Sequence, residues 1–194
     1  MKKLILQMHM TMDGFVAGPN GELDWMEAEI DTKQLDLLQD LTENMDTILL
    51  GRKMTEGFTT YWENVVNNQP HSPEYPYAKT FVDTPKIVFS KTENSLPGKN
   101  VTVENGDLIE AVNNLKKQTG KNIIVYGGAN FVSELIKHDL IDELYLFVNP
   151  VTIGAGLRIF TDRKRYKLVN STACNNGIVV NQFRAAIERQ ATNG

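Results

Sequence analysis

Three short apolar runs that stop abruptly restrict the fold more than any other feature of this sequence. They cover residues 47–50, 86–90 and 122–126, and the first and third are followed by glycine. Stretches with apolar residues at helical spacing lie between them. Short continuous apolar runs are typical of strands buried on both faces, as in parallel sheets. Their alternation with helices predicts an α/β fold with a mostly parallel sheet and helices on both of its faces.

The two ends of the chain add further strands. Residues 3–10 form a β-type run, and residues 166–173 and 177–186 alternate around an Asn-Asn-Gly turn. Asn-Gly between two such runs is a strong signal for a β-hairpin, so we expect an antiparallel hairpin at the end of the sheet. Nothing in the sequence reads as a linker. One domain over residues 1–187 and a loose tail over residues 188–194 are therefore predicted.

The remaining segments divide into helices and loops. Apolar spacing predicts helices over residues 31–45, 53–62, 77–82, 107–118 and 131–138. Glycines in residues 17–25 and three prolines in residues 67–76 predict loops there.

Composition excludes several classes of protein. The net charge is -4, from 24 acidic and 20 basic residues, whereas a chain dominated by nucleic-acid binding carries a clustered basic excess. No apolar stretch approaches 18 residues, so we expect no membrane span. The apolar start resembles a signal peptide, but Gln7 and His9 interrupt it, and no small-residue cleavage site follows. We expect a cytoplasmic protein.

Cysteine and histidine give no pattern for a metal. Cys174 is the only cysteine, which excludes an internal disulfide and every multi-cysteine zinc site. It is interpreted as a small core residue, with a nucleophile as the alternative. His9, His71 and His138 lie far apart with no helical pairing, so no metal site is expected.

A phosphate-binding turn is predicted where the first buried strand gives way to a helix. The segment is Gly51-Arg52-Lys53-Met54-Thr55. A helix N-terminus offers unpaired N–H groups and a positive dipole, and the two cations and the Thr55 hydroxyl add to its affinity for an anion. The alternative is a glycine that ends a strand, followed by solvated side chains.

Two more strand ends point to the same ligand class. Gly127 and Gly128 are followed by Ala129, Asn130, Phe131 and Val132, and paired glycines allow a backbone to approach a pyrophosphate closely. This pair lacks the complete dinucleotide-binding fingerprint. Ser90 and Lys91 follow the middle strand and suit a ribose 2′-phosphate. All three sites fall at strand C-terminal ends, where open α/β sheets bind ligands.

Five ordered motifs resemble the dihydrofolate reductase superfamily, especially the branch related to the reductase domain of the bacterial riboflavin-biosynthesis deaminase–reductase. They are T-M-D-G-F-V-A (11–17), G-E-L-D-W (21–25), I-L-L-G-R-K-M-T (48–55), Y-G-G-A (126–129) and I-D-E-L-Y-L-F-V-N-P-V-x-x-G-x-G (141–156). The resemblance runs from Met1 to about Ala186. It implies a three-layer sandwich with an eight-stranded, mostly parallel sheet and an antiparallel C-terminal hairpin.

The resemblance also implies NADPH as the hydride donor. The family's phosphate turn falls on Gly51 to Thr55, with Met54 in the slot that the family fills with threonine. The 2′-phosphate contacts fall on Ser90 and Lys91, and the pyrophosphate lies over Gly127 to Val132. The loop from Ala17 to Trp25 corresponds to a mobile lid beside the nicotinamide.

The substrate side departs from the well-known members. Ile30 stands where some members have a carboxylate, and Tyr126 stands where the riboflavin reductases have an acidic residue. Asp13 is interpreted as either an Asx-turn residue or a substrate contact and proton relay. Asp24 and Trp25 form either a helix N-cap with a core aromatic or part of the pocket wall. Tyr126 is either a core aromatic or a wall of the substrate pocket.

Two functional hypotheses result. The first is an NADPH-dependent oxidoreductase that reduces a small pterin- or pyrimidine-like heterocycle. The second is a dinucleotide-binding module of the same fold without turnover, a sensor or a relic. The resemblance further suggests a homodimer, and neither nucleic acid nor a membrane is expected as a partner.

Overall fold

The computed structural model describes residues 1–26 and 31–186, which form one eight-stranded sheet with helices on both faces. The elements in chain order are β1 (Leu4–Thr11), α1 (Thr32–Glu43), β2 (Met45–Gly51), α2 (Arg52–Asn68), α3 (Tyr75–Asp83), β3 (Lys86–Phe89), β4 (Val101–Glu104), α4 (Leu108–Lys117), β5 (Asn122–Gly127), α5 (Ala129–Lys137), β6 (Glu143–Asn149), β7 (Tyr166–Ala173) and β8 (Val179–Ala185).

The strand order is β4-β3-β2-β5-β1-β6-β8-β7. Every pairing among strands β1 to β6 is parallel, whereas β8 pairs antiparallel with both β6 and β7. The predicted α/β class, the mostly parallel sheet and the antiparallel C-terminal hairpin are therefore confirmed. The predicted tail at 188–194 lies outside the described residues.

Successive side chains of the central strands point to opposite faces of the sheet, which produces the three layers. Leu4, Leu6 and Met8 of β1 face a core that includes Val112 of α4 and Val132 of α5. Ile5 faces the opposite core, against which side chains of α1, α2 and α3 pack. A strand covered on both sides must be apolar at successive positions, which is why these strands read as continuous apolar runs.

Helix α2 is longer than its predicted span of residues 53–62. It continues through Asn68, and its additional turns bury Val65 completely. The predicted loop at residues 67–76 is correspondingly shorter, because α3 begins at Tyr75 with a proline in its first turn. Prolines are tolerated there, since the first N–H groups of a helix have no intrahelical acceptor.

Asp31, rather than Asp24, caps the first helix. The Asp31 carboxylate accepts a hydrogen bond from the Lys33 N–H at 2.8 Å, and the Gln34 side chain accepts one from the Asp31 N–H. The interpretation of Asp24 and Trp25 as a helix N-cap is therefore wrong. Residues 27–30, including Ile30, lie outside the described residues.

Cys174 lies in the core beside the turn of the C-terminal hairpin. It packs with Phe147, Ile178 and Val180, and burial raises the pKa of its thiol. A raised pKa keeps the thiol protonated and unreactive, so the structure supports the core interpretation over a nucleophile.

Candidate functional site

Two glycine turns meet at the C-terminal edge of the parallel strands. A Cβ atom at Gly51 would lie 2.9 Å from the backbone nitrogen of Gly128 and 3.0 Å from Cβ of Phe131. The turn after β2 and the turn after β5 are thus in direct backbone contact. Two of the predicted phosphate sites, although far apart in the sequence, are therefore adjacent in the fold.

Two helices start at this contact. Gly51 is the N-cap of α2 and Gly128 is the N-cap of α5, and neither cap makes a side-chain hydrogen bond. No acidic residue occupies the first turn of either helix. The leading N–H groups of both helices therefore remain available to an external acceptor, and both positive dipole ends reach the same edge. Arg52 and Lys53 are exposed beside them.

The second turn has an unusual backbone. The peptide bond between Gly127 and Gly128 is cis, and Gly127 has a φ of 147°. A Cβ atom on Gly127 would lie 2.7 Å from Sδ of Met54 and 3.5 Å from Cε of Met8. Met54 therefore packs over the second turn, which gives a structural reason for an apolar residue in a slot that the resemblance associates with threonine.

Thr55 faces the protein interior. Its side chain is fully buried, and its hydroxyl donates a hydrogen bond of 3.2 Å to the carbonyl oxygen of Gly51. This hydroxyl is therefore not positioned to donate to a bound phosphate, which corrects the prediction for that side chain. It stabilises the first turn of α2 instead.

Ser90 and Lys91 shape the loop after β3. The Ser90 hydroxyl accepts hydrogen bonds from the N–H groups of Thr92 (3.2 Å) and Glu93 (3.0 Å). The exposed Lys91 ammonium donates to the carbonyl oxygen of Gly106 at 2.8 Å. Because β3 lies next to β2, this loop is at the same edge of the sheet. The 2′-phosphate contact stays a prediction.

Asp13 anchors one loop to another. Its carboxylate accepts hydrogen bonds from the Thr11 hydroxyl (2.6 Å) and from the N–H groups of Gly154 (2.8 Å) and Ile153 (3.2 Å). These bonds, with that of Thr11 the strongest, lower the pKa of the carboxyl. These hydrogen bonds support the structural interpretation of Asp13, and a substrate contact or proton relay stays a prediction.

The predicted lid begins in the same region. Ala17 is buried, and its carbonyl oxygen accepts a hydrogen bond of 2.9 Å from the Leu157 N–H. Further along, Trp25 is partly buried and its indole N–H donates to the carbonyl oxygen of Glu22 at 3.2 Å. Asp24 is exposed. A contact of Ala17 with cofactor, or of Asp24 and Trp25 with substrate, stays a prediction.

Tyr126 packs into an aromatic cluster between the sheet and two helices. Its ring lies 5.7 Å from that of Phe58 and 5.3 Å from that of Phe81, centroid to centroid. The hydroxyl points at Sδ of Met45, 3.7 Å away, and burial raises its pKa. The structure supports the core interpretation, and a contact of Tyr126 with substrate stays a prediction.

A histidine–asparagine pair was missed by the sequence analysis. Nδ2 of Asn149, at the end of β6, lies 3.3 Å from Nδ1 of His9 on β1, and the His9 ring stacks on Phe147 with centroids 4.8 Å apart. Burial lowers the pKa of His9 to about 4, so its ring is neutral near pH 7. Because 140 positions separate the partners, no local pattern could have revealed the pair.

Residues 2–180 match the family described as the RibD C-terminal domain. The chain belongs to this RibD C-terminal domain family. The resemblance drawn from the five motifs is therefore confirmed at the level of the family.

Relatives with and without a stated activity share this RibD C-terminal domain fold. The Bacillus subtilis protein YyaP, which is uncharacterised, is 35% identical over 181 residues, or 92% of each chain. The diaminohydroxyphosphoribosylaminopyrimidine deaminase/5-amino-6-(5-phosphoribosylamino)uracil reductase of Thermotoga maritima superimposes with a TM-score of 0.63 at 17% identity, over 95% of this chain and 57% of that one. Dihydrofolate reductase from Enterococcus faecalis, complexed with NADP(H) and RAB-propyl, gives 0.63 at 16% identity, over 95% and 97%.

The described residues hold no group of three His, Cys, Asp or Glu side chains that could bind a metal ion. None of the helices in that part of the chain is both long and apolar enough to cross a membrane.

Proposed function

We propose that this chain is an NADPH-dependent reductase that transfers a hydride from the nicotinamide to a small pterin- or pyrimidine-like heterocycle. The observation that carries the proposal is the backbone contact between the turns at Gly51 and Gly128, from which two uncapped helices start. This arrangement suits a pyrophosphate, because it offers the positive ends of two helix dipoles, N–H groups without an acceptor, and two exposed cations. The reductase activities named for structural relatives support the reaction class.

Each part of the chain has a distinct task in this proposal. Arg52 and Lys53 neutralise the cofactor phosphates, and the turn from Gly127 to Val132 receives the pyrophosphate on its N–H groups. Ser90 and Lys91 select the 2′-phosphate. The nicotinamide supplies the hydride, whereas the chain positions the two rings and excludes water. In this proposal Asp13 is a structural residue, because its carboxylate already accepts hydrogen bonds from Thr11, Ile153 and Gly154.

Cofactor binding and turnover test the proposal in sequence. NADPH is titrated into the protein while its fluorescence and the melting temperature are followed, because a ligand that binds only the folded state raises that temperature. We expect saturable binding and a higher melting temperature. Steady NADPH oxidation is then measured with dihydrofolate, a panel of pterins and the riboflavin precursor.

Three outcomes separate the functional hypotheses. Oxidation with any substrate of the panel supports the reductase. Tight NADPH binding without oxidation of any substrate favours the non-catalytic dinucleotide-binding module, and absence of NADPH binding overturns both. A homodimer and a cytoplasmic location belong to the same proposal, and light scattering of the purified protein checks the first.

A further inference from the structure

The loops that follow β3 and β4 are fastened to each other at the C-terminal edge of the sheet. The two strands are parallel neighbours, so the loop at residues 90–93 and the loop at residues 105–107 leave the sheet side by side. The Ser90 N–H donates a hydrogen bond of 3.1 Å to the carbonyl oxygen of Glu104, where the ladder between the strands ends. Beyond this bond, side chains connect the two loops.

Asn105 makes the first of these connections. Its Nδ2 group donates to the carbonyl oxygen of Ser90 and to that of Glu93, both at 2.7 Å. A side-chain amide has two N–H donors, so these bonds use both of them. Asn105 therefore holds together the two ends of the turn that contains Lys91.

Lys91 makes the second connection, in the opposite direction. Its ammonium group donates to the carbonyl oxygen of Gly106 at 2.8 Å and to that of Asn105 at 3.3 Å. Asn105 thus contacts both the backbone on either side of Lys91 and the charged end of its side chain. An ammonium group has three N–H donors, so one of them has no acceptor among the described residues and can serve an external anion.

The charge of this ammonium group is available to such an anion. Lys91 is the only cation of the two loops, and it forms no ion pair with a described carboxylate. The Glu104 carboxylate accepts from the Gly106 N–H at 2.7 Å. The Asp107 carboxylate caps α4 by accepting from the Glu110 N–H at 2.9 Å. The position of one cation therefore decides how strongly these loops attract a phosphate.

We propose that Asn105 is a positioning residue for cofactor selection, because it holds Lys91 ready to bind the 2′-phosphate of NADPH. This inference rests on the proposed function, since it concerns the cofactor part of the same site. A free lysine side chain loses rotamer freedom when it binds a phosphate, and this loss weakens the binding. Here the side chain is fixed before the cofactor binds, so the loss on binding is smaller. Without the Asn105 amide, the turn can move away from the carbonyl oxygens that hold the ammonium group.

A pair of cofactors that differ only in the 2′-phosphate tests the inference. The dissociation constants of NADPH and NADH are measured by calorimetry for the unchanged chain, Asn105→Ala and Asn105→Leu. Both variants remove the two donors, and leucine keeps roughly the shape of asparagine. We expect NADPH affinity to fall by about fivefold in both variants, as for one lost hydrogen bond, while NADH affinity changes little.

Asn100 provides the matched control, because it lies before β4 at the opposite edge of the sheet. Its Nδ2 group also donates to two carbonyl oxygens, those of Val82 (3.2 Å) and Asp83 (2.9 Å). Its φ is 57°, so an alanine there is strained in addition. Asn100→Ala should therefore lower the melting temperature but leave the ratio of NADPH to NADH affinity unchanged. A purely structural Asn105 would behave in the same way.

The outcomes distinguish this inference from the proposed function. Equal losses of NADPH and NADH affinity in the Asn105 variants, or an unaltered NADPH affinity in Asn105→Leu, overturn the inference alone. Equal affinity of the unchanged chain for the two cofactors overturns it as well, because no selection then exists to be positioned. An unchanged chain that does not bind NADPH refutes the proposed function and this inference with it.

Discussion

Two regions at the edge of the sheet where the parallel strands end are built in opposite ways, one from backbone and one around a charged side chain. Around Gly51 and Gly127 the site is built from backbone, with close approaches that exclude side chains and helix ends that carry no cap. Around Asp13 a charged side chain is present, but all of its capacity is directed at Thr11, Ile153 and Gly154. The charged residue, a type that sequence motifs make conspicuous, has a structural role here, whereas the glycines form the candidate binding surface.

Substitution of the first glycine gives the largest expected effect. Gly51→Ala places a Cβ 2.9 Å from the Gly128 nitrogen, a backbone atom that cannot move without separating the two turns. We expect loss of measurable NADPH binding and a lower melting temperature. Gly57→Ala, on the same helix with nothing within 4 Å, is the matched control and should stabilise the protein by up to about 1 kcal/mol. Normal NADPH affinity in Gly51→Ala would show that the contact between the turns is dispensable.

Removal of the Asp13 carboxylate should act on stability. Asp13→Ala leaves the N–H groups of Ile153 and Gly154 without their acceptor, so the melting temperature should fall, with a smaller fall for Asp13→Asn. Proteolysis within residues 150–157 should become faster in the same order. Any turnover by a folded Asp13→Asn should keep its pH profile, and a lost limb of that profile would support the proton-relay interpretation instead.

Charge reversal at Lys91 should discriminate between cofactors. Lys91→Glu would repel a 2′-phosphate, so we expect NADPH affinity to fall by about tenfold and NADH affinity to change little. Lys117→Glu applies the same charge change to an exposed residue in the last turn of α4 and serves as the control. Equal losses for NADPH and NADH would move the 2′-phosphate site away from this loop.

The smallest expected effect is the contribution of His9 to the loss of stability at acidic pH. Its pKa is about 4 in the folded protein and near 6.5 when unfolded, so the unfolded chain binds more protons between these values. This contribution to stability is complete above pH 6.5 and decreases as the pH falls towards 4. Urea unfolding of the unchanged chain and of His9→Gln should show a shallower dependence on pH in the variant across that window. Parallel curves would mean that His9 titrates normally.

Local signals made most of the fold predictable. The glycines at 51, 127 and 128 follow apolar runs, and the Asn-Gly pair lies between two alternating strands. Each of these signals is therefore local to the strand that it ends. The boundary of α2 was missed because Val65 and Val66 lie in an otherwise polar stretch, and only the burial of Val65 in the folded protein explains the extra turns.

The candidate site was predictable only in part. Both glycine turns were identified, but their contact joins segments that lie far apart in the chain. The inward direction of Thr55 depends on the rotation of α2, and the hydrogen-bond partners of Tyr126 and His9 lie on other strands. Hydrogen-bond partners chosen by tertiary packing leave no trace in a local residue pattern.

The position of β1 has a consequence for how the chain reaches its fold. Leu4 pairs with Ile123, and Ile5 pairs with Glu143, so the first strand to be synthesised acquires both of its neighbours only after most of the chain exists. Sheets closed by such distant pairings form slowly, because the entropy of a long loop is lost before any pairing compensates for it. During translation, the apolar segment at residues 4–6 therefore stays without a partner strand until β5 and β6 have been made, and such transiently exposed apolar surface favours aggregation.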